Sequence, residues 1–337
     1  MSAISIAILG LGRIGASVGL ALKRYNTSKE ARHEFKITGY DSLGTVRDAP
    51  KQGIVDGMAR HIADASRNQD MVVLALPYAE VQNAYRSIGS ALRPGGVVLD
   101  MSPLKTPSIK WADEHLPDET YLVGLAPIIN PKYLFDGLDG YEFAQADMFD
   151  NGGMLLMPAA NCSKEAVELA TDFSTLLGAK PHFMDAGEHD SHIAATEGLP
   201  TLLGAAYFYM LQSGKGWDDS RRLTNPAFGR LTHQLVESHP DDLRDQLLNN
   251  REQLAHYLDS MIDTLQTMRQ VLHENNRDAL EAALIESAQS YREWFARRER
   301  NQWEDDKARV QANASLMSGL MGDFLARKVR GDDKDGR

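Results

Sequence analysis

The 337-residue chain is long enough for two domains, and 43% hydrophobic with 25% charged residues is the balance of an ordinary globular protein. A formal net charge of −11 argues against nucleic acid and anionic membrane as partners, while a local basic pocket for a small anion stays compatible with it. The single cysteine, Cys162, excludes an intrachain disulfide framework and suits a reducing cytoplasm; no apolar run approaches the ~20 residues of a membrane span, and the N-terminus lacks a signal-peptide pattern.

The first predicted element is a buried strand, Ile4 to Leu9, which runs into Gly10-Leu11-Gly12-Arg13-Ile14-Gly15 and then a helix through Lys23. Strand, glycine turn and helix in that order are the fingerprint of a dinucleotide site. Gly10 permits the tight turn, Gly12 lets the backbone approach a diphosphate, and Gly15 allows close helix–strand packing. The helix start offers unpaired N–H groups and partial positive charge to the phosphates. Gly10, Gly12, Arg13, Ile14 and Gly15 are therefore the cofactor-binding candidates of this turn.

Further short apolar strands are expected at Phe35–Tyr40, Met71–Leu76, Val97–Leu99, Tyr121–Leu125, Met154–Met157 and His182–Met184, alternating with helical stretches. That alternation predicts an α/β Rossmann-type parallel sheet over residues 1–185. Pro77, Pro94, Pro127 and Pro158 fall at predicted strand ends or loops. From 186 to 327 the β-type runs disappear, and an all-α helical domain is expected. Leu243, Leu247, Leu254, Leu258, Ile262, Leu265, Met268 and Leu272 form one apolar stripe on a single long helix, begun by Pro240-Asp241-Asp242 and ended by Asn275-Asn276. Such a stripe is expected to serve core or dimer packing. A further helix runs from Asp278 through Trp294, and residues 328–337 are expected to be a disordered tail.

The second strand ends in Gly39-Tyr40-Asp41, and an acid there can accept both adenosine ribose hydroxyls while repelling a 2′-phosphate. Asp41 lies further from the glycines than the usual ~20 residues, which a longer loop over 26–34 explains. Arg47 is the nearest cation for a 2′-phosphate. NAD is expected, with NADP the lesser alternative.

With these residues placed, the chain resembles the prephenate/arogenate dehydrogenases of tyrosine biosynthesis over most of its first 210 residues. Gly10 to Lys23 is similar to that family's GLGLIGGSLALALK opening. Gly53-Ile54-Val55-Asp56, Asp70, Val73-Leu74-Ala75-Leu76-Pro77, Leu92, Pro94-Gly95, Asp100 and Lys105 follow its pattern. So do Phe149, Pro158, Gly178-Ala179, Glu188-His189-Asp190, Ala194 and Leu199-Pro200. The resemblance implies a Rossmann domain joined to a helical domain that forms a homodimer. It also implies that the loop at Leu76-Pro77 lies near the nicotinamide half of the cofactor, and that the substrate is a small carboxylate.

Departures fall on the chemistry. The family's His-Pro-Met-x-Gly segment, which carries the catalytic histidine, corresponds to Ala126-Pro127-Ile128-Ile129-Asn130. Its Ser-His-Leu-Pro-His corresponds to Glu197-Gly198-Leu199-Pro200-Thr201, and its serine after the fifth strand to Pro103, with Ser102 one place earlier as a cofactor-binding candidate. Removal of a general base typically costs ~10²–10⁴-fold in rate, so a replacement is sought. His189 beside Asp190, the lysine Lys105 and the new acid Glu197 are the catalytic candidates. His192 is expected on the same helix face as His189, while Arg221, Arg222 and Arg230 are candidate anion clamps. No ligand pattern for a metal is present in the sequence. Two other readings stay open on the same residues: an oxidoreductase for a different hydroxy or amino acid, and a catalytically silent dinucleotide-binding regulator.

Overall fold

A computed structural model describes residues 3–42, 48–136 and 140–302. In chain order these hold β1 (Ala3–Leu9), α1 (Arg13–Asn26), β2 (Glu34–Tyr40), β3 (Gly57–Met58), α2 (Ile62–Ser66), β4 (Met71–Leu74) and α3 (Tyr78–Gly89). Then follow β5 (Val97–Asp100), α4 (Lys105–His115), β6 (Tyr121–Ile128), β7 (Gly152–Pro158), α5 (Lys164–Leu176) and β8 (Ala179–Phe183). Beyond them come α6 (Ala186–Ile193), α7 (Leu199–Gln212), α8 (Trp217–Ser220), α9 (Pro226–Thr232), α10 (Gln234–Glu237), α11 (Pro240–Asn249), α12 (Arg251–His273) and α13 (Arg277–Arg300). Arg47 and the 328–337 tail lie outside the described residues.

The strands form one eight-stranded sheet in the order β3-β2-β1-β4-β5-β6-β7-β8. Strands β1 to β6 are parallel, and successive residues feed opposite faces. Ile6, Ile8, Val73 and Leu99 pack with Val18 and Leu22 of α1 and Phe173 of α5. Ala7, Leu9, Val72 and Val98 pack with Val81, Tyr85 and Ile88 of α3. Helices on both faces explain why these strands are apolar throughout instead of alternating.

Several expected boundaries shift. The 71–76 strand stops at Leu74, the 97–99 strand gains Asp100, and the 182–184 strand lies earlier, at Ala179–Phe183. The two-residue β3 has too little apolar signal to be read from sequence. The sheet is also not wholly parallel: β7 runs antiparallel to β6 and parallel to β8. A parallel pairing needs a crossover, usually a helix, and the described part of the 129–151 connection offers only 3-10 turns at Pro131–Tyr133 and Tyr141–Phe143. Pro127 lies inside β6, not at its end. Beyond Gly124 that strand is paired on one side only, so a missing N–H is tolerated there.

The described residues up to Leu280 cluster as one compact unit and those from Glu281 to Gln302 belong to another. In the first, α6 continues without a break through a π-helical turn, Ala194–Gly198, into α7. The expected single helix over the leucine stripe is two helices, because Asn250 leaves the helical conformation (φ −119°, ψ 21°) between α11 and α12. Of the stripe, Leu254 is buried, while Ile262, Leu265, Met268 and Leu272 are exposed on α12. In the second unit, the residues of α13 from Glu281 onward bring the rings of Tyr291 and Trp294 within 5.3 Å of each other. Among the described residues, no helix is long and apolar enough to cross a membrane.

Candidate active site

The strand order reverses between β1 and β4, and at such a switch point loops diverge to leave a crevice at the carboxyl ends of the strands. The glycine turn forms one lip. Gly10 has φ +91°, a conformation glycine adopts without strain, and any side chain there would strike the Ala75 carbonyl that follows β4. A side chain at Gly15 would strike the Gly10 carbonyl. Gly12 differs, since nothing lies within 4 Å of where its Cβ would be. The position is open toward solvent at the start of a 14-residue helix with no side-chain cap and no acid in its first turn. Unsatisfied N–H groups, positive dipole and open space together fit a diphosphate.

Of the other candidates on this side, Asp41 stands at the end of β2 and accepts the Leu11 N–H at 2.7 Å, so it is fixed to the glycine turn itself. Ile14 packs into the core beneath the turn. Leu76 is buried, and Pro77 is exposed as the residue before α3. Arg13 does not stand as a lone cation. Its guanidinium is bonded to the Asp136 carboxylate (Nη1–Oδ1 2.7 Å) and lies over the Tyr133 ring.

The second lip is the β5–α4 connection. Ser102 turns inward: its N–H donates to Asp100 Oδ1 at 2.6 Å and its hydroxyl shares a 2.8 Å bond with Ser108. Tyr85 donates to the other Asp100 oxygen at 2.8 Å. Lys105, only 1% exposed, directs Nζ to the carbonyl oxygens of Asp100 (2.9 Å) and Ser102. Burial lowers its pKa to about 8, against the opposing pull of Asp100 and Asp190.

Asp190 does more than orient a histidine. Its two oxygens accept the N–H groups of Lys105 and Thr106, both at 2.8 Å, so it caps α4 from the following helical segment. Burial acts to raise its pKa, but bonds from His189, Lys105 and Thr106 outweigh that and hold it below the usual carboxylate range. His189 lies against it, with Nδ1 3.0 Å from Asp190 Oδ1. The ring is buried, and Nε2 has no hydrogen-bond partner among the described residues. His192 does not share this environment; it is exposed and faces Glu188. Asp242 on α11 acts as Asp190 does, accepting the Ala79 N–H at 2.8 Å at the start of α3. Sequence reading took Asp242 only as an acid opening its own helix. The residues it meets are far away in sequence, and no local pattern signals such a cap.

Glu197 lies in the π-helical turn, and a π-bulge often marks a functional position. It lines a narrow cleft with Leu104, Ile193, Thr201, Gln246 and Asn250. Part of Glu197 reaches solvent, yet the surrounding side chains crowd its carboxyl and raise its pKa. Gly198 packs toward Leu254, where a Cβ would stand 3.4 Å from that side chain. Arg221, Arg222 and Arg230 are exposed, and Arg221 pairs with Asp218. Burial pushes the Cys162 thiol up to about 11, which keeps it protonated and removes it as a nucleophile.

A glycine-cradled helix end at the switch point of such a sheet, with buried titratable groups on the facing lip, is the architecture of a nicotinamide-dependent oxidoreductase. Comparison with known proteins narrows the class. Residues 18–182 match the model of the prephenate dehydrogenase nucleotide-binding domain, and residues 185–286 that of the prephenate dehydrogenase dimerization domain. The chain belongs to the prephenate dehydrogenase family. It is 25% identical to the cyclohexadienyl dehydrogenase of Zymomonas mobilis over 282 residues, covering 82% of this chain and 90% of that protein. To the prephenate dehydrogenase of Bacillus subtilis it is 23% identical, covering 88% and 77%. Among solved structures, the prephenate dehydrogenase of A. aeolicus in complex with hydroxyphenyl propionate and NAD+ shares the fold with a TM-score of 0.74 and 21% identity, covering 87% of this chain and 99% of that one. Synechocystis arogenate dehydrogenase gives 0.65 at 18% identity, with 86% and 100% covered.

Proposed function

We propose that this protein is an NAD-dependent dehydrogenase that oxidises a ring carbon bearing a hydroxyl in a small cyclohexadienyl carboxylic acid, of the prephenate or arogenate kind. The observation that carries the reading is the uncapped start of α1 at Gly12, open to a diphosphate and set against the end of β4. Gly10, Gly12, Arg13, Ile14 and Gly15 would hold the diphosphate from the first turn of α1. Asp41 would take the adenosine ribose, and Leu76 and Pro77 would border the nicotinamide. When bound, the nicotinamide ring supplies the hydride acceptor. Ser102 would border the cofactor from the β5–α4 connection, its hydroxyl held by Ser108.

The proton of the substrate hydroxyl needs an acceptor, and Ala126 offers none. Lys105 fits best. Two of its N–H groups are held by carbonyls, and a pKa of about 8 leaves a share of the amine neutral near physiological pH. His189 acts as a positioning residue through Asp190, which fixes the end of the helix that carries Lys105. Glu197 borders the adjoining cleft and would meet the substrate. Loss of carbon dioxide aromatises the ring, which lowers the demand on the base.

The organisation proposed is a dinucleotide-binding domain over residues 1–185 and a helical domain after it. Two copies would join through the exposed apolar face of α12, in line with the dimerization-domain match. Mixing the protein with NAD and prephenate, then with arogenate, should give reduced-nicotinamide absorbance with at least one of them. Binding of NAD in a calorimeter without turnover on either, or on a panel of hydroxy and amino acids, would instead mark a silent dinucleotide-binding protein.

A further inference from the structure

A second carboxylate stands at the Asp41 end of the crevice. Glu80 lies in the first turn of α3, which leaves the strand beside the glycine turn, and Ser42 directs its hydroxyl to Glu80 Oε1 at 3.4 Å. An acid in the first turn of a helix is ordinarily favoured in its charged form by the helix dipole. Glu80 moves the other way. Burial raises its pKa, and the negative charges of Asp41 and Asp242 raise it further, against the Ser42 hydrogen bond. Tyr40 registers the same field from the end of β2: burial raises its hydroxyl, and Glu80 and Asp41 add to the rise. Tyr40, Asp41 and Glu80 thus stand near one another between the ends of β2 and β4.

We propose that Glu80 is a specificity-determining residue that acts with Asp41 to exclude a dinucleotide bearing a 2′-phosphate, committing the crevice to NAD. The inference rests on the crevice being a dinucleotide site. A ribose hydroxyl can donate to a carboxylate, whereas a phosphate dianion has no proton to offer and meets like charge. Asp41 is held by the Leu11 N–H, and the contact of Glu80 with Ser42, the next residue, brings the second carboxylate to the same end of the crevice.

Calorimetric titration of the full chain with NAD and with NADP tests it, using the wild type, Glu80→Gln, Glu80→Ala and Asp41→Asn. Both Glu80 variants are expected to bind NADP about tenfold more tightly, with NAD affinity held within about twofold. The gain should shrink as salt is raised, because the interaction removed is a screened repulsion. Asp41→Asn should relieve NADP as well but weaken NAD, since it loses a ribose acceptor. If the Glu80 variants shift both dinucleotides by one factor, or neither, while the wild type binds NAD, Glu80 is only a helix-end charge and the inference is overturned. Failure of the wild type to bind either dinucleotide overturns the reading of the crevice and the inference together.

Discussion

The two lips of the crevice are built on different principles. On the β1–α1 lip the chemistry is backbone: N–H groups, a dipole and glycines whose missing side chains define the space. On the β5–α4 lip it is side chain: a buried lysine, a capped helix and a histidine–aspartate pair reaching in from sequence some eighty residues away. A backbone site depends on a few consecutive residues, so it survives divergence as a readable string. A side-chain site is an assembly, and its members can be exchanged one by one.

The largest effect expected is on catalysis. Lys105→Met should lower kcat by ~10²–10⁴ while leaving NAD affinity nearly unchanged. In the wild type, kcat/KM should climb as pH rises through about 8, the range in which Lys105 becomes neutral, and the variant should lack that limb. A similar pH profile in Lys105→Met would move the proton acceptor to another residue. Asp190→Ala comes next. It strips the cap from two buried N–H groups and the partner from His189, and should destabilise the fold by about 3 kcal/mol in denaturant titration. Because the Asp190 pKa is depressed in the fold, its contribution is complete above the ordinary carboxylate range and fades as pH falls through the folded value.

Gly12→Val and Gly15→Val separate binding from folding on the other lip. Gly12→Val should cost about a hundredfold in NAD affinity with little change in Tm, since its Cβ meets open space in the protein alone. Gly15→Val should lower Tm, because its side chain collides with backbone that cannot yield. A pH-dependent effect concerns the buried amine. Lys105 binds its proton less tightly in the fold than the ordinary 10.5, so between about pH 8 and 10.5 the unfolded chain holds a proton the folded one lacks. Stability relative to Lys105→Met should therefore rise with pH across that window, and parallel curves would show that the amine is not buried in solution.

These differences also explain how much was legible in sequence. The glycine turn, Asp41 and the strands of the first half follow from local pattern, since apolar period and turn chemistry act over a few residues. The pairing of His189 with Asp190 is legible in sequence and Lys105 stands out separately, but that Asp190 ties Lys105 to this pair is a tertiary fact. The break at Asn250 was hidden because leucines continue in helical register on both sides of it. Asn250 donates instead to the Asp190 carbonyl at 2.7 Å, and that distant contact accompanies the change of direction. Arg13 is legible as a member of the glycine turn, but its ion-pair partner Asp136, more than a hundred residues away, is not. The reversal of β7 likewise goes with the lack of a crossover helix in the described part of the 129–151 connection, and a list of strands does not reveal it.

Asp190 and Asp242 have a mechanical consequence. Each comes from the helices that follow the sheet, and each seats an anion on the positive end of a helix beside the crevice, α4 in one case and α3 in the other. Contacts of this kind are worth up to ~2 kcal/mol apiece where solvent is partly excluded. The helical layer is thereby pinned to the sheet at two points along the same rim, and a pivot about either pin would tear out the other. A rigid-body opening of the two layers would therefore have to break both contacts together.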